Sequence, residues 1–541
     1  MLRDQQFVDV LLRIWFSHLD FMYDSVVDTR LHRLWKQHQL ESATTSSSLQ
    51  PLISIILTLS CQIAPERTEP AIASCTTASS STDRLVTISF EYAKKASDAF
   101  LEAYGSSCSL DMALVEHLQA SLLVAAYLKN ADKVFEYRTR LSRDIAFLQC
   151  IHIHTLGDVP QDATRISVKE MARRIWWSYF QYDRFYWLMD PSFPYQVRRN
   201  HCNISFLDHT GLQHPVSCQQ SGVHSDSVLP MFKLGASHGE RPRVADEARM
   251  SKFTSNMICI ALAAEHVSDH LADLGRLATR LRTHSEASAQ LESAIDRAIS
   301  DFNLLFSILE QQQSSSLGTA DRSSTQIRQD QVSSITLDTL RYKACTTLTS
   351  CASHLSIGIK NRLCIVKAQA TATLVQRALE LTAGLSASEL RWAFFLNYIG
   401  QSTAELARLV LEPSLQLAGS RSSMGLLVRS RNFLCLIANQ NRDRLPKRVA
   451  QEVCTDTARI FAGVDKSLEA DLSDVHKTVA DAVRAEQVWQ HSAHQLQRQQ
   501  GLTAPDSSGI TSNDLILPDE HELLQPIMFL EAFEDLFAFP A

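Results

Sequence analysis

The chain has 541 residues, of which 45% are hydrophobic and 21% charged, which is enough apolar material for a sizeable core and too much for bulk disorder. The net charge of −7 comes from one place: the last 28 residues hold seven acids and no Lys or Arg, leaving 52 basic against 52 acidic residues elsewhere. That balance argues against a broad duplex-gripping surface, which carries a basic surplus to displace counterions.

In chain order, apolar residues recur at helical spacing. Phe7, Val10, Leu11, Ile14, Trp15 and Phe21 mark a first helix. A serine-rich break over 42–50 follows, and Pro51 opens a second helix in the first-turn place that suits its missing N–H. The stretch Leu52–Ala64 is the most apolar, yet its 13 residues include Ser54, Thr58, Ser60 and Gln62. That suits a buried helix, since a membrane crossing needs about 20 apolar residues. After a Ser/Thr-rich break to residue 83, helices are predicted over 84–104, closed by Gly105, and up to 129 from a cap at Ser109. Two more cover 132–152 and 163–188, the latter stopped by Pro191 and Pro194. Residues 206–244 have no period and read as a long loop. Helices resume over 245–284, 287–313, 332–357, 360–384 and 387–411, with a low-complexity break at 314–330 and three further helices between 422 and 499.

No strand-like alternation of useful length and no fixed repeat appears. The expected fold is therefore all-α: an irregular array of roughly a dozen helices with long loops and a flexible acidic C-terminal tail. The opening Met-Leu-Arg-Asp-Gln-Gln lacks the unbroken apolar stretch of a signal peptide. Twelve cysteines include no C-x-x-C pair, and Cys61, Cys259 and Cys435 lie in apolar helical patterns. They read as reduced, buried thiols rather than a disulfide framework.

Motifs for catalysis are thin. Gly235-Ala236-Ser237-His238-Gly239 matches G-x-S-x-G, but a nucleophile elbow needs a strand-to-helix turn and this is a polar loop. His266 and His270 are four apart with Asp273 near, and His152 and His154 are two apart; either set could share a metal, though exposed polar residues on a helix are far commoner. No P-loop, dinucleotide fingerprint or H-E-x-x-H is present. No enzyme is expected, and no membrane partner.

Several segments resemble the middle homology region of fungal zinc-cluster transcription factors, the fungal-specific or xylanolytic-activator regulatory domain. Leu11-Leu12-Arg13-Ile14-Trp15-Phe16 resembles its first helix, Leu52–Ala64 its second, and Leu114–Tyr127 its Gln-Ala-x-Leu-Leu helix ending in Tyr. The fullest match is an acidic residue, an Arg pair, Trp-Trp and Asp-Arg in order: Glu170, Arg173, Arg174, Trp176, Trp177, Asp183 and Arg184. The resemblance covers about residues 8 to 208. It departs at Gln149-Cys150-Ile151-His152, where the family has Leu-Gly-Leu-His, and at Pro191-Ser192-Phe193-Pro194, where it has Gly-Arg-Pro.

The resemblance implies a nuclear regulator of RNA polymerase II genes, built as 1–208 and 245–499 of one helical body around a variable loop, 209–244. A homo- or heterodimer, DNA binding and a binuclear zinc cluster are also implied. That cluster opens C-x-x-C-x6-C, because each zinc needs closely spaced thiolates. With no C-x-x-C here, two expectations stand: a cluster on a missing N-terminal exon, or a regulator that reaches DNA only through a partner. No cofactor is expected in the chain itself. A non-catalytic helical scaffold is the alternative.

On the motif helix, Val168, Met171, Ile175, Tyr179, Tyr182 and Tyr186 form one stripe at steps of 3, 4, 4, 3 and 4. Such stripes are usually packing, with Asp183 paired to an Arg. The functional alternative is an inducer or partner pocket beside Trp177. Beyond a polar linker, 500–513, the tail 514–541 interleaves Phe529, Leu530, Phe533, Leu536, Phe537 and Phe539 with Glu531, Glu534 and Asp535. Acids that keep aromatics solvated until a partner buries them mark an activation segment for a transcriptional coactivator. A terminal helix docked on its own domain is the plainer reading.

Overall fold

A computed structural model describes residues 5–16, 49–63, 82–104, 110–157 (except 132), 167–189, 195–197, 251–281, 287–314, 324–352 and 357–383. Single positions at 31, 68, 202 and 204, the pairs 206–207 and 213–214, and six positions between 402 and 430 are also described. The chain divides into two units, Met1–Ala470 and Asp471–Ala541, and every described residue lies in the first. Among the described residues the protein is all-α. In chain order the helices are α1 (Gln5–Ile14), α2 (Leu49–Ile63), α3 (Thr82–Tyr104), α4 (Met112–Asn130), α5 (Val134–Cys150), α6 (Val168–Met189), α7 (Lys252–Leu281), α8 (Ala287–Ser314), α9 (Ser324–Cys351) and α10 (Ile357–Ala383). None is long and apolar enough to cross a membrane. A two-residue antiparallel pairing, Phe206–Leu207 with Gln213–His214, falls inside the stretch read as loop.

Helices α1 to α6 pack on one another through α2, α4 and α6, and α7 to α10 pack through α7 and α9; α6 meets α7 where the sets join. In α2 every side chain from Pro51 to Cys61 is buried, so no solvent face exists and the helix belongs to the core. Its hydroxyls are satisfied within the helix: Thr58 Oγ1 donates to the Ser54 carbonyl (2.8 Å) and Ser60 Oγ to that of Ile56 (3.0 Å). Helix α4 is likewise buried without a break from Leu114 to Ala126.

Helix starts differ from the sequence expectation where polar residues decide them. Asp111, not Ser109, caps α4; its carboxylate accepts the Leu114 amide at 2.8 Å. Helix α6 begins at Val168 rather than 163, because the Ser167 hydroxyl takes the Glu170 amide at 3.2 Å. Helix α7 begins at Lys252 rather than 245, with Ser251 Oγ accepting the Thr254 amide at 3.1 Å. Helix α9 begins at Ser324, eight residues before the predicted start. That first stretch, Ser-Thr-Gln-Ile-Arg-Gln-Asp-Gln, has good helix formers but no apolar stripe to reveal it. The predicted helices at 387–411 and 422–499 lie outside the described residues apart from single positions, as does the 209–244 loop apart from 213–214. The linker and the acidic tail lie wholly outside them.

Candidate functional site

The seven motif residues all sit on α6, and the structure gives each charged member a definite place. Arg173 ties the start of α6 to the turn after α5. Its Nη1 meets Glu170 Oε2 at 3.2 Å, Nη2 donates to the Leu156 carbonyl at 2.9 Å, and Nε to that of Gly157 at 3.3 Å. Gly157 has φ +67°, a left-handed conformation that only glycine adopts freely, and this turns its carbonyl toward Arg173. Burial pushes the Glu170 carboxyl up from its ordinary range, while Arg174 and Arg173 oppose the shift.

Further along, Arg184 is 0% exposed. Its Nη1 lies 2.6 Å from Asp183 Oδ2; Nη2 donates to the Val197 carbonyl at 2.6 Å and reaches Glu265 Oε1 on α7 at 3.1 Å. The guanidinium carbon sits 4.3 Å from the ring centre of Phe180 and 4.0 Å from that of Tyr195. Asp183 also accepts the amides of Gln196 and Val197, each at 3.1 Å from Oδ2. Burial raises the Asp183 pKa, against the pull of Arg184 and these two amides. The Tyr195 hydroxyl in turn lies 3.2 Å from the carbonyls of Ala264 and Glu265. Arg184 and Tyr195 together form a clasp between α6 and α7.

Trp176 and Trp177 are both buried. The Trp177 ring meets Phe180 edge-on at 5.2 Å, and Trp176 lies 5.7 Å from His154. The predicted stripe is buried at Met171, Ile175, Tyr179 and Tyr186 and partly buried at Val168 and Tyr182. The opposite face is buried as well, at Arg173, Trp176, Trp177, Phe180, Asp183 and Arg184. Helix α6 is therefore enclosed almost all round rather than amphipathic.

Sequence reasoning missed a second polar group under α6. Tyr179 Oη donates to Asp144 Oδ2 at 2.9 Å, and the Ser121 hydroxyl from α4 donates to the same oxygen. Arg143 meets Asp144 Oδ1 at 2.8 Å and Asp98 at 2.7 Å, while Arg140 reaches Asp98 at 3.0 Å and donates to Ser121 Oγ at 3.0 Å. Burial, reinforced by the Asp144 charge, lifts the Tyr179 phenol well above its usual range, so it stays a donor. The sequence did carry a signal: Tyr137, Arg140, Leu141, Asp144, Ile145 and Leu148 fall on one helical face, which places two charges in an apolar stripe.

The remaining candidates separate. His266 and His270 lie edge to face at 5.8 Å, His270 abuts Phe302, and Asp273 pairs with Arg276. His152 adopts φ 60° and lies 6.1 Å from His154. Among the described residues no three His, Cys, Asp or Glu side chains form a metal-holding group, and the described cysteines do not fit a zinc cluster. The G-x-S-x-G stretch and the tail aromatics Phe529, Leu530, Phe533, Leu536, Phe537 and Phe539 lie outside the described residues. Chemically, the α6 charges are closed against each other and shielded from water, an arrangement suited to fixing one helix register. No family model and no curated protein matches the chain.

Proposed function

We propose that this chain is a transcription regulator of the fungal zinc-cluster kind, acting on RNA polymerase II genes in the nucleus. What supports the reading is the order of Glu170, Arg173, Arg174, Trp176, Trp177, Asp183 and Arg184 along a single core helix, the family's own order. In this reading the helical body is the regulatory part. The tail residues Phe529 to Phe539, spaced by acids, recruit a coactivator. DNA and zinc contact then belong to a partner or to a module beyond this sequence, since the described cysteines do not fit the cluster. A homo- or heterodimer would bring that contact to the promoter.

The test tethers the chain to a reporter promoter through an unrelated DNA-binding domain. Activation that is lost on deleting 514–541 fits the reading. A full chain that neither activates nor represses the reporter overturns it and leaves a non-catalytic scaffold. If activation survives the deletion, the tail assignment falls and the regulator reading stands.

A further inference from the structure

Helices α8, α9 and α10 do not close fully on one another. Between them lies a cleft of about 200 Å³. Phe302 and Phe306 form one wall, and Leu363 and Val366 stand on α10. Phe302, Phe306 and Leu363 are buried, whereas Asn303 and Gln369 are exposed and form a polar rim.

The charges at this cleft are already matched. Arg341 stacks over the Phe306 ring at 5.1 Å, while its Nη2 meets Glu310 at 2.9 Å and Nη1 meets Asp338 at 3.2 Å. Arg377 takes the other Asp338 oxygen at 3.0 Å. Two cations thus face two carboxylates, and an entering anion would have to break an existing pair. The Cys345 thiol on the same wall is pushed by burial to about 11, so it stays protonated and is a poor nucleophile.

Size narrows the occupant further. An engineered apolar cavity of about 150 Å³ takes up benzene, and pockets for drug-sized ligands run to about 300–1,000 Å³. We propose that the cleft between α8, α9 and α10 binds a neutral, one- or two-ring aromatic molecule with a single polar edge, of the size of phenol or indole. The ring lies against Phe302 and Phe306, and the polar edge points toward Asn303 and Gln369. The proposal rests on the cleft alone and stands whether or not the chain regulates transcription.

The probe is 5-fluoroindole, titrated with the full chain and followed by its fluorine NMR signal. Saturable broadening is expected, reversed by unlabelled indole but not by benzoate at the same concentration. Val366→Phe fills the cleft and should weaken binding about tenfold or more. Gln369→Phe closes the rim from an exposed position and should do the same, so it decides the matter if Val366→Phe does not fold. Circular dichroism melting identifies the folded variants. Non-saturable broadening, or binding unchanged in a folded variant, overturns the site. Equal competition by benzoate overturns the neutral class.

Discussion

Helices α1–α6 and α7–α10 are both helix-on-helix packings, yet different things hold them in register. In the first set, charged and phenolic groups far apart in sequence meet at named atoms: Ser121, Asp144 and Tyr179 from three helices share one carboxylate oxygen, and Arg184 joins Asp183 to Glu265. In the second set, buried hydroxyls turn back onto their own helix. Thr336 donates to Val332, Thr339 to Ile335 and Thr371 to Lys367, all carbonyls four residues back. Such bonds satisfy the hydroxyl without telling one helix where its neighbour lies. Ion pairs of the second set, such as Arg341 with Glu310, are part-buried rather than enclosed. A buried polar group restricts packing to arrangements that satisfy it; apolar contact alone tolerates a gap, and the cleft is found on that side.

The comparison breaks most readily at Arg184. Arg184→Met leaves Asp183 and Glu265 buried without their cation and should cost about 3–5 kcal/mol in urea unfolding. A loss below about 1 kcal/mol would mean that the enclosed charges do not hold the first set.

A pH series sharpens the second half. Burial lifts Asp338 from 3.8 to about 6, with Arg377 and Arg341 opposing. A raised folded pKa favours the protonated form, so this stabilisation is complete below about pH 4 and lost as pH rises through about 6. Asp338→Asn mimics the neutral carboxyl and does not titrate. Between pH 4 and 7, wild type should lose on the order of 2–3 kcal/mol relative to that variant. The opposite slope would show that Arg341 and Arg377 outweigh burial, making this set charge-held like the first.

Smaller effects bound the comparison from below. Asp111→Ala removes the α4 cap and should lower stability by about 1 kcal/mol, read from thermal melting. Arg362 and Asp296 pair across α10 and α8 with each side chain about half exposed. Arg362→Ala should change stability by less than about 1 kcal/mol, and less still in high salt. A larger loss would give the second set a polar lock that its geometry does not suggest.

Much of the fold was legible because α2 and α4 carry long apolar runs between Ser-rich or Gly breaks, and those patterns need no tertiary knowledge. Starts were less legible: Ser167 and Ser251 cap their helices well inside stretches that already looked periodic. On α6 the aromatic stripe was readable, but its second buried face was not. Arg173, Asp183 and Arg184 look like solvent-facing charges until Leu156, Gly157, Val197 and Glu265 are brought beside them. Glu265 itself stands out only as the lone charge in Ile258–Val267, a pattern that says buried without saying what it meets. The cleft had no linear signature, since its walls come from three separate helices.

The clasp between α6 and α7 also bears on how the chain length can vary. Met189 and Lys252 are separated by 62 residues, and the helices they bound are joined at Arg184 with Glu265 and at Tyr195 with the α7 carbonyls. Closing a flexible loop costs little more as it lengthens, about 0.6 kcal/mol for each doubling. The pairing of α6 with α7 is therefore set by the side chains at the clasp and hardly at all by the tether between them. Insertions and deletions in that tether should be nearly neutral, and a single change at the clasp should not.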